Sequence, residues 1–86
     1  MDDSESLLEF PCTFPIKAMG RPPDFEALVM AIVERHAPRD VLGVSVRESR
    51  AGRYQAVTVR IRAHSRAQLD AIYQDLSDHE RVVMAL

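Results

Sequence analysis

From Phe10 the even positions Phe10, Cys12, Phe14, Ile16 and Ala18 are apolar while Thr13 and Lys17 between them are polar. A period of two belongs to a strand. Pro11 and Pro15 cannot donate to a sheet ladder, which predicts a central strand that begins only near Pro15, over residues 14–19, after an extended lead-in. Gly20, Arg21, Pro22 and Pro23 then break the pattern, and Pro23 suits the first turn of a helix, where its missing N–H costs nothing. Asp24 and Glu26 fall in the same predicted turn, opposite in sign to the helix dipole. Phe25, Leu28, Val29, Ile32, Val33 and His36 repeat at three and four, one apolar stripe, and Ala37-Pro38 ends it because proline disfavours helical geometry in the residue before it.

Alternation returns with Leu42, Val44 and Val46 between Gly43, Ser45 and Arg47. After a break at residues 49–52 it resumes as Val57, Val59 and Ile61 between Thr58, Arg60 and Arg62, so the two runs predict a hairpin. Ser65 followed three residues later by Gln68 is a capping-box signature, and Leu69, Ile72, Tyr73 and Leu76 give a second helical stripe over residues 66–76. Residues 82–86 are apolar, β-favouring and too short for a helix, which makes them a last strand. The order βαββαβ, joined by right-handed crossovers, predicts an α+β fold of the ferredoxin-like kind. It has a four-stranded antiparallel sheet with both helices on one face and the other face open.

With 86 residues, 47% of them apolar and 28% charged, the chain has the material for one core, expected over residues 10–86. Residues 1–9, with Asp2, Asp3, Glu5 and Glu9, read as an acidic flexible arm whose Leu7 and Leu8 anchor its end. A formal charge of -2 gives no global attraction to nucleic acid or anionic lipid. No apolar run approaches the ~20 residues of a membrane span. One cysteine, Cys12, and an acidic rather than basic N-terminal segment point to a reducing cytoplasm.

Catalysis needs groups that converge, and none do so in the sequence. His36, His64 and His79 fall on separate elements without ligand spacing, and Cys12 has no neighbouring cation to hold a thiolate, so it reads as a small buried apolar residue. No catalytic residue, metal or cofactor is expected. The loop Gly20-Arg21-Pro22-Pro23-Asp24 brings a cation to a helix N-terminus, the kind of place where an anion sits, although Asp24 opposes one there. Lys17, Arg47, Arg60 and Arg62 take outward strand positions, which predicts a basic stripe on the open face as an interaction surface. RNA-reading sheets carry aromatics at strand centres, and here the only candidate is Tyr54 at the hairpin's edge. Lys17 lies inside a strand rather than at a hairpin tip, which rules it out as a lipoyl attachment site.

Leu8-Glu9-Phe10-Pro11, then Phe14, Lys17 and Met19-Gly20, then Arg35-His36-Ala37-Pro38, Tyr54, Leu69, Tyr73, Leu76 and Met84-x-Leu86 resemble the YbeD-type small bacterial proteins over nearly the whole chain. Members of that family are described as lipoate-regulatory proteins. The resemblance implies an ACT-like fold, and ligands of such modules bind at the loop after strand one, which maps onto Met19, Gly20, Arg21 and Asp24. Pro22-Pro23 stiffens that loop here. The expected function is a small regulatory or adaptor domain that binds a protein partner or a small metabolite, linked to lipoate metabolism, with a homodimer as one arrangement. Two alternatives of other classes are an acylphosphatase-like hydrolase, holding phosphate with Arg21, and a single-stranded nucleic-acid-binding module using the open face. The first would need several glycines where this loop has prolines.

Overall fold

In the computed structural model, residues 8–86 are described, and residues 1–7 of the expected arm lie outside them. The elements are β1 (Cys12–Gly20), α1 (Phe25–His36), β2 (Val41–Glu48), β3 (Gln55–Ala63), α2 (Arg66–Asp78) and β4 (Val82–Ala85). They form one antiparallel sheet in the order β2-β3-β1-β4. The α+β, ferredoxin-like βαββαβ order is therefore the one the periodicity predicts.

β1 starts earlier than expected, at Cys12, and carries Pro15 within it, opposite Arg60 of β3. The reason lies in the direction of the ladder bonds. Lys17 exchanges both of its main-chain bonds with Leu86, at 3.1 and 2.8 Å, so the odd residues of β1 address β4. At Pro15 β4 has already ended, and the absent N–H costs no ladder bond. Pro23 is likewise displaced from its predicted place. The helix begins at Phe25, and Asp24 is the cap residue in the left-handed region (φ 62°) rather than a member of the first turn.

Ile16, Ala18, Val57, Val59, Ile61 and Ala63 line the helix side of the sheet and are buried beneath Phe25, Val29, Ile32 and Val33 of α1 and Leu69, Ile72 and Leu76 of α2. Leu8, Phe10, Cys12 and Phe14 pack half-buried against this core, so Cys12 is only partly enclosed where full burial was expected. α1 packs on β3 and on α2, while α2 packs on β3 and β4. β2 lies at the margin of this cover. Val44 and Val46 share the side of Val59 and Val57 yet stay 41% and 40% exposed, and Leu42, at a break in register, is 51% exposed.

Gly20 is where the two halves meet. A Cβ there would collide with the Phe25 ring and with the Arg81 carbonyl. Arg81 reaches the same place from before β4, its Nη2 donating to the Arg21 carbonyl at 2.7 Å and to the Pro23 carbonyl. Side chains also join the helices at the opposite end. Ser65 caps α2 by accepting from Gln68 N at 3.0 Å, as the sequence signature predicts, and the Gln68 amide donates to the His36 carbonyl at 2.8 Å, closing the end of α1. The His36 ring nitrogen Nε2 lies 2.6 Å from Asp75 Oδ2, and the Arg35 guanidinium lies 4.0 Å from the same oxygen. The His36 hydrogen bond, assisted by the charges of His36 and Arg35 and opposed by partial desolvation, holds the Asp75 carboxyl below its ordinary value of 3.8.

Three outcomes follow from these contacts. Gly20→Ala should lower stability by about 1–3 kcal/mol through overpacking, read as a fall in the urea midpoint without a change in slope. Truncation before Val83 removes the Leu86 ladder to Lys17 and the acceptor of the Tyr73 hydroxyl, and should abolish cooperative thermal unfolding. Because the Asp75 pKa is depressed in the folded state, its contribution is present above 3.8 and is lost as pH falls through the depressed value. Wild type should therefore exceed Asp75→Asn in urea midpoint at neutral pH, and the two curves should converge in acid; a constant gap down to acid would refute the link.

Candidate functional site

The strand alternation that buries the even residues of β1 sends Thr13, Pro15, Lys17 and Met19 to the opposite face of the sheet. The register places Ala56, Thr58, Arg60 and Arg62 of β3 beside them, then Gly43, Ser45 and Arg47 of β2, with Met84 and Leu86 on the β4 side. Neither α1 nor α2 covers this face among the described residues. No Asp or Glu occupies a strand position on it, and Lys17, Arg47, Arg60 and Arg62 are all exposed with no carboxylate in ion-pair range among the described residues. The basic stripe expected from the sequence thus lies on one surface. The Arg60 guanidinium lies where a side chain on Gly43 would be, so glycine at 43 leaves it the room.

The face has an apolar end that the sequence reading missed. Met19, Ala56, Met84 and Leu86 surround a groove of about 90 Å³ with Lys17 and Thr58 at its rim. Met84 and Leu86 are 49% and 69% exposed. Lys17, Ala56 and Thr58 also line an adjoining hollow with Ser45 and Arg47, so Lys17 borders both an apolar groove and a more polar one. The available signal was Met84-x-Leu86 in the last strand, but only the register opposite Met19 and Lys17 shows which side those residues take.

The loop residues do not gather in the same way. Met19 faces the open side and Gly20 the helix side. Arg21 Cζ lies 5.5 Å from the centre of the Tyr54 ring, a cation–π contact. Asp24 lines a hollow with Glu26, Ala27 and Met30, whereas Arg21 lines a separate one with Glu80, Arg81 and Val83. The hollow at the start of α1 is lined by two carboxylate residues, Asp24 and Glu26, and, among the described residues, by no basic one, while the nearby Arg81 guanidinium is engaged by the Arg21 and Pro23 carbonyls.

The three histidines are dispersed in space as in sequence. His36 pairs with Asp75, and His64 Nε2 lies 3.0 Å from Asp40 Oδ2 across the start of α2. The His79 ring nitrogen accepts from Arg81 N at 3.2 Å in the turn before β4. Among the described residues no three His, Cys, Asp or Glu side chains are grouped to hold a metal ion, and no helix is long and apolar enough to cross a membrane.

Residues 5–86 match the family described as "Protein of unknown function (DUF493)". A "UPF0250 protein" of Nitrosomonas europaea is 49% identical over 84 residues, covering 95% of this chain and 97% of that one. Another, from Chromobacterium violaceum, is 46% identical over 88 residues, covering 99% and 98%. Among solved structures, the fold is similar to that of protein HP0495 from H. pylori, with a TM-score of 0.78 at 15% identity over 100% of this chain and 94% of that one. It is also similar to the C-terminal domain of the MgtC protein from Mycobacterium tuberculosis, with a TM-score of 0.67 at 15% identity over 86% and 82%. The chain belongs to the DUF493/UPF0250 family, the YbeD-type small bacterial proteins.

Proposed function

We propose that this domain is a regulatory or adaptor module that works by docking a protein partner on its open sheet face, and that it is not an enzyme. The observation that supports this reading is the sheet face on which four cations, without ion-pair partners among the described residues, adjoin the half-buried Met19 and the exposed Met84 and Leu86. Exposed apolar groups rimmed by polar ones mark interaction sites. Pockets for small ligands usually occupy ~300–1,000 Å³ and are mostly apolar; the apolar groove here, at about 90 Å³, has room for one side chain, and the adjoining hollow, at about 350 Å³, has Lys17, Ser45, Arg47 and Thr58 in its wall.

A small carboxylic acid is the second reading, since the groove is apolar and Lys17 stands at its rim. In that reading a lipoate or octanoate tail would enter between Met19 and Met84 with its carboxylate on the ammonium group. A homodimer is compatible with either, because the exposed flank of β2, with Leu42, Val44 and Val46, lies away from the open face. The hydrolase alternative draws no support from the loop, where Arg21 rests on Tyr54 and the loop carbonyls engage Arg81. The nucleic-acid alternative finds no aromatic side chain at any strand position of the open face.

A thermal-shift screen with lipoate and octanoate separates the first two readings. A ligand at a hundredfold its dissociation constant adds ~2.7 kcal/mol, and each kcal/mol moves the midpoint of a domain this size by roughly 4–8 °C. The expected result is a flat screen, together with a protein captured by the wild-type domain and not by Lys17→Glu/Arg47→Glu. Surface changes of that kind should leave stability within about 0.5 kcal/mol each. Capture of the same proteins by both forms would remove the open face as the docking surface, and a shift of more than about 10 °C would make the domain a small-acid sensor.

A further inference from the structure

Resting on the open face as the docking surface, we infer that its partner is an acidic protein segment that carries a single apolar anchor side chain. Two independent features of the face dictate that chemistry. The first is charge. The whole chain is formally -2, yet every charged strand side chain on this face is basic, so the carboxylates of the described strands lie off this face. A single-sign patch with no ion-pair partner among the described residues selects a partner of the opposite sign and repels one of its own.

The second feature is shape. The groove between Met19, Ala56, Met84 and Leu86 is the apolar depression of this face, and it opens directly beside Lys17. Lys17 lines this groove and also the polar hollow that holds Ser45 and Arg47. A segment lying across β1 and β3 would therefore seat an apolar side chain in the groove while acids on either side of it meet Lys17 and Arg47. Interfaces concentrate their energy in such a desolvated anchor, with charges at the rim setting encounter rate and specificity. Arg60 contributes differently. Its guanidinium sits over Gly43 at the surface of β2, where its N–H fork can take a carboxylate that approaches in the guanidinium plane. A nucleic acid would supply the negative charge but wants aromatic platforms for its bases, and the strand positions here provide none.

The test selects random dodecapeptides displayed on phage against the full chain, then measures a synthetic peptide of the enriched sequence by fluorescence anisotropy. Two variants act as controls, with far-UV circular dichroism to show that both fold. Lys17→Glu reverses the central charge, and Ala56→Leu fills the groove without touching any charge. The inference expects enriched peptides with several Asp or Glu around one Leu, Met or Phe. Binding should weaken about 10-fold or more with Lys17→Glu and about 30-fold with Ala56→Leu. It should also weaken as added salt shortens the screening length from ~10 Å at 0.1 M to ~3 Å at 1 M. Neutral or basic peptides that are still lost with Ala56→Leu would overturn the acidic chemistry while keeping the sheet-face reading. Peptides indifferent to both variants, or no enrichment at all, would overturn both. Salt-sensitive binding of a single-stranded oligothymidylate that Lys17→Glu abolishes would replace the acidic segment with a nucleic acid.

Discussion

The structure depends on one constraint: two helices packed on one side of a four-stranded sheet must leave the other side uncovered. Every strand alternates, so each contributes half of its side chains to the core and half to a surface. In β1 this split sets Ile16 and Ala18 under the helices and Lys17 and Met19 outside them. In β3 it sets Val57, Val59 and Ile61 inside and Thr58, Arg60 and Arg62 outside. A slip of one residue would exchange the two sets, so packing fixes the basic face at the same time as the core. The hydrophobic effect that holds the fold also positions its charged surface.

The sheet shows why most of the fold could be read from the chain and why a few boundaries could not. Val57, Val59, Ile61 and the Phe25 to Val33 stripe follow their periods closely, because burial on one side enforces the pattern. Pro15 misled because the penalty for proline depends on whether a neighbouring strand is present at that height, and β4 stops before reaching it. Asp24 misled because its left-handed backbone follows a loop whose carbonyls are held by Arg81, about 60 residues further along the chain. Local patterns carry no trace of such a contact.

The basic stripe was legible for the same reason as the core. Lys17, Arg47, Arg60 and Arg62 occupy the complementary phase of the same alternation. The groove was not, since it is made by β1, β3 and β4 together and needs the register of Met84 and Leu86 to exist. The link between His36 and Asp75 was equally hidden, as it depends on how two helices face each other. Membership in the DUF493/UPF0250 family and similarity to solved folds agree with the architecture read from the residues. The proposed docking role rests on the chemistry of one face.

The irregular edges have a consequence for assembly. β2 is broken in register at Leu42, which leaves it one regular run toward the hairpin, and β4 is only four residues long with its own shift opposite Met19 and Gly20. If two copies joined through β2, the shared strand pair would be symmetric and each copy would use up its one long edge. The margins left over would be two short, bulged strands, poor templates for another addition. Growth would stop at two, and a protein with exposed valines on its flank would be kept from becoming a fibre.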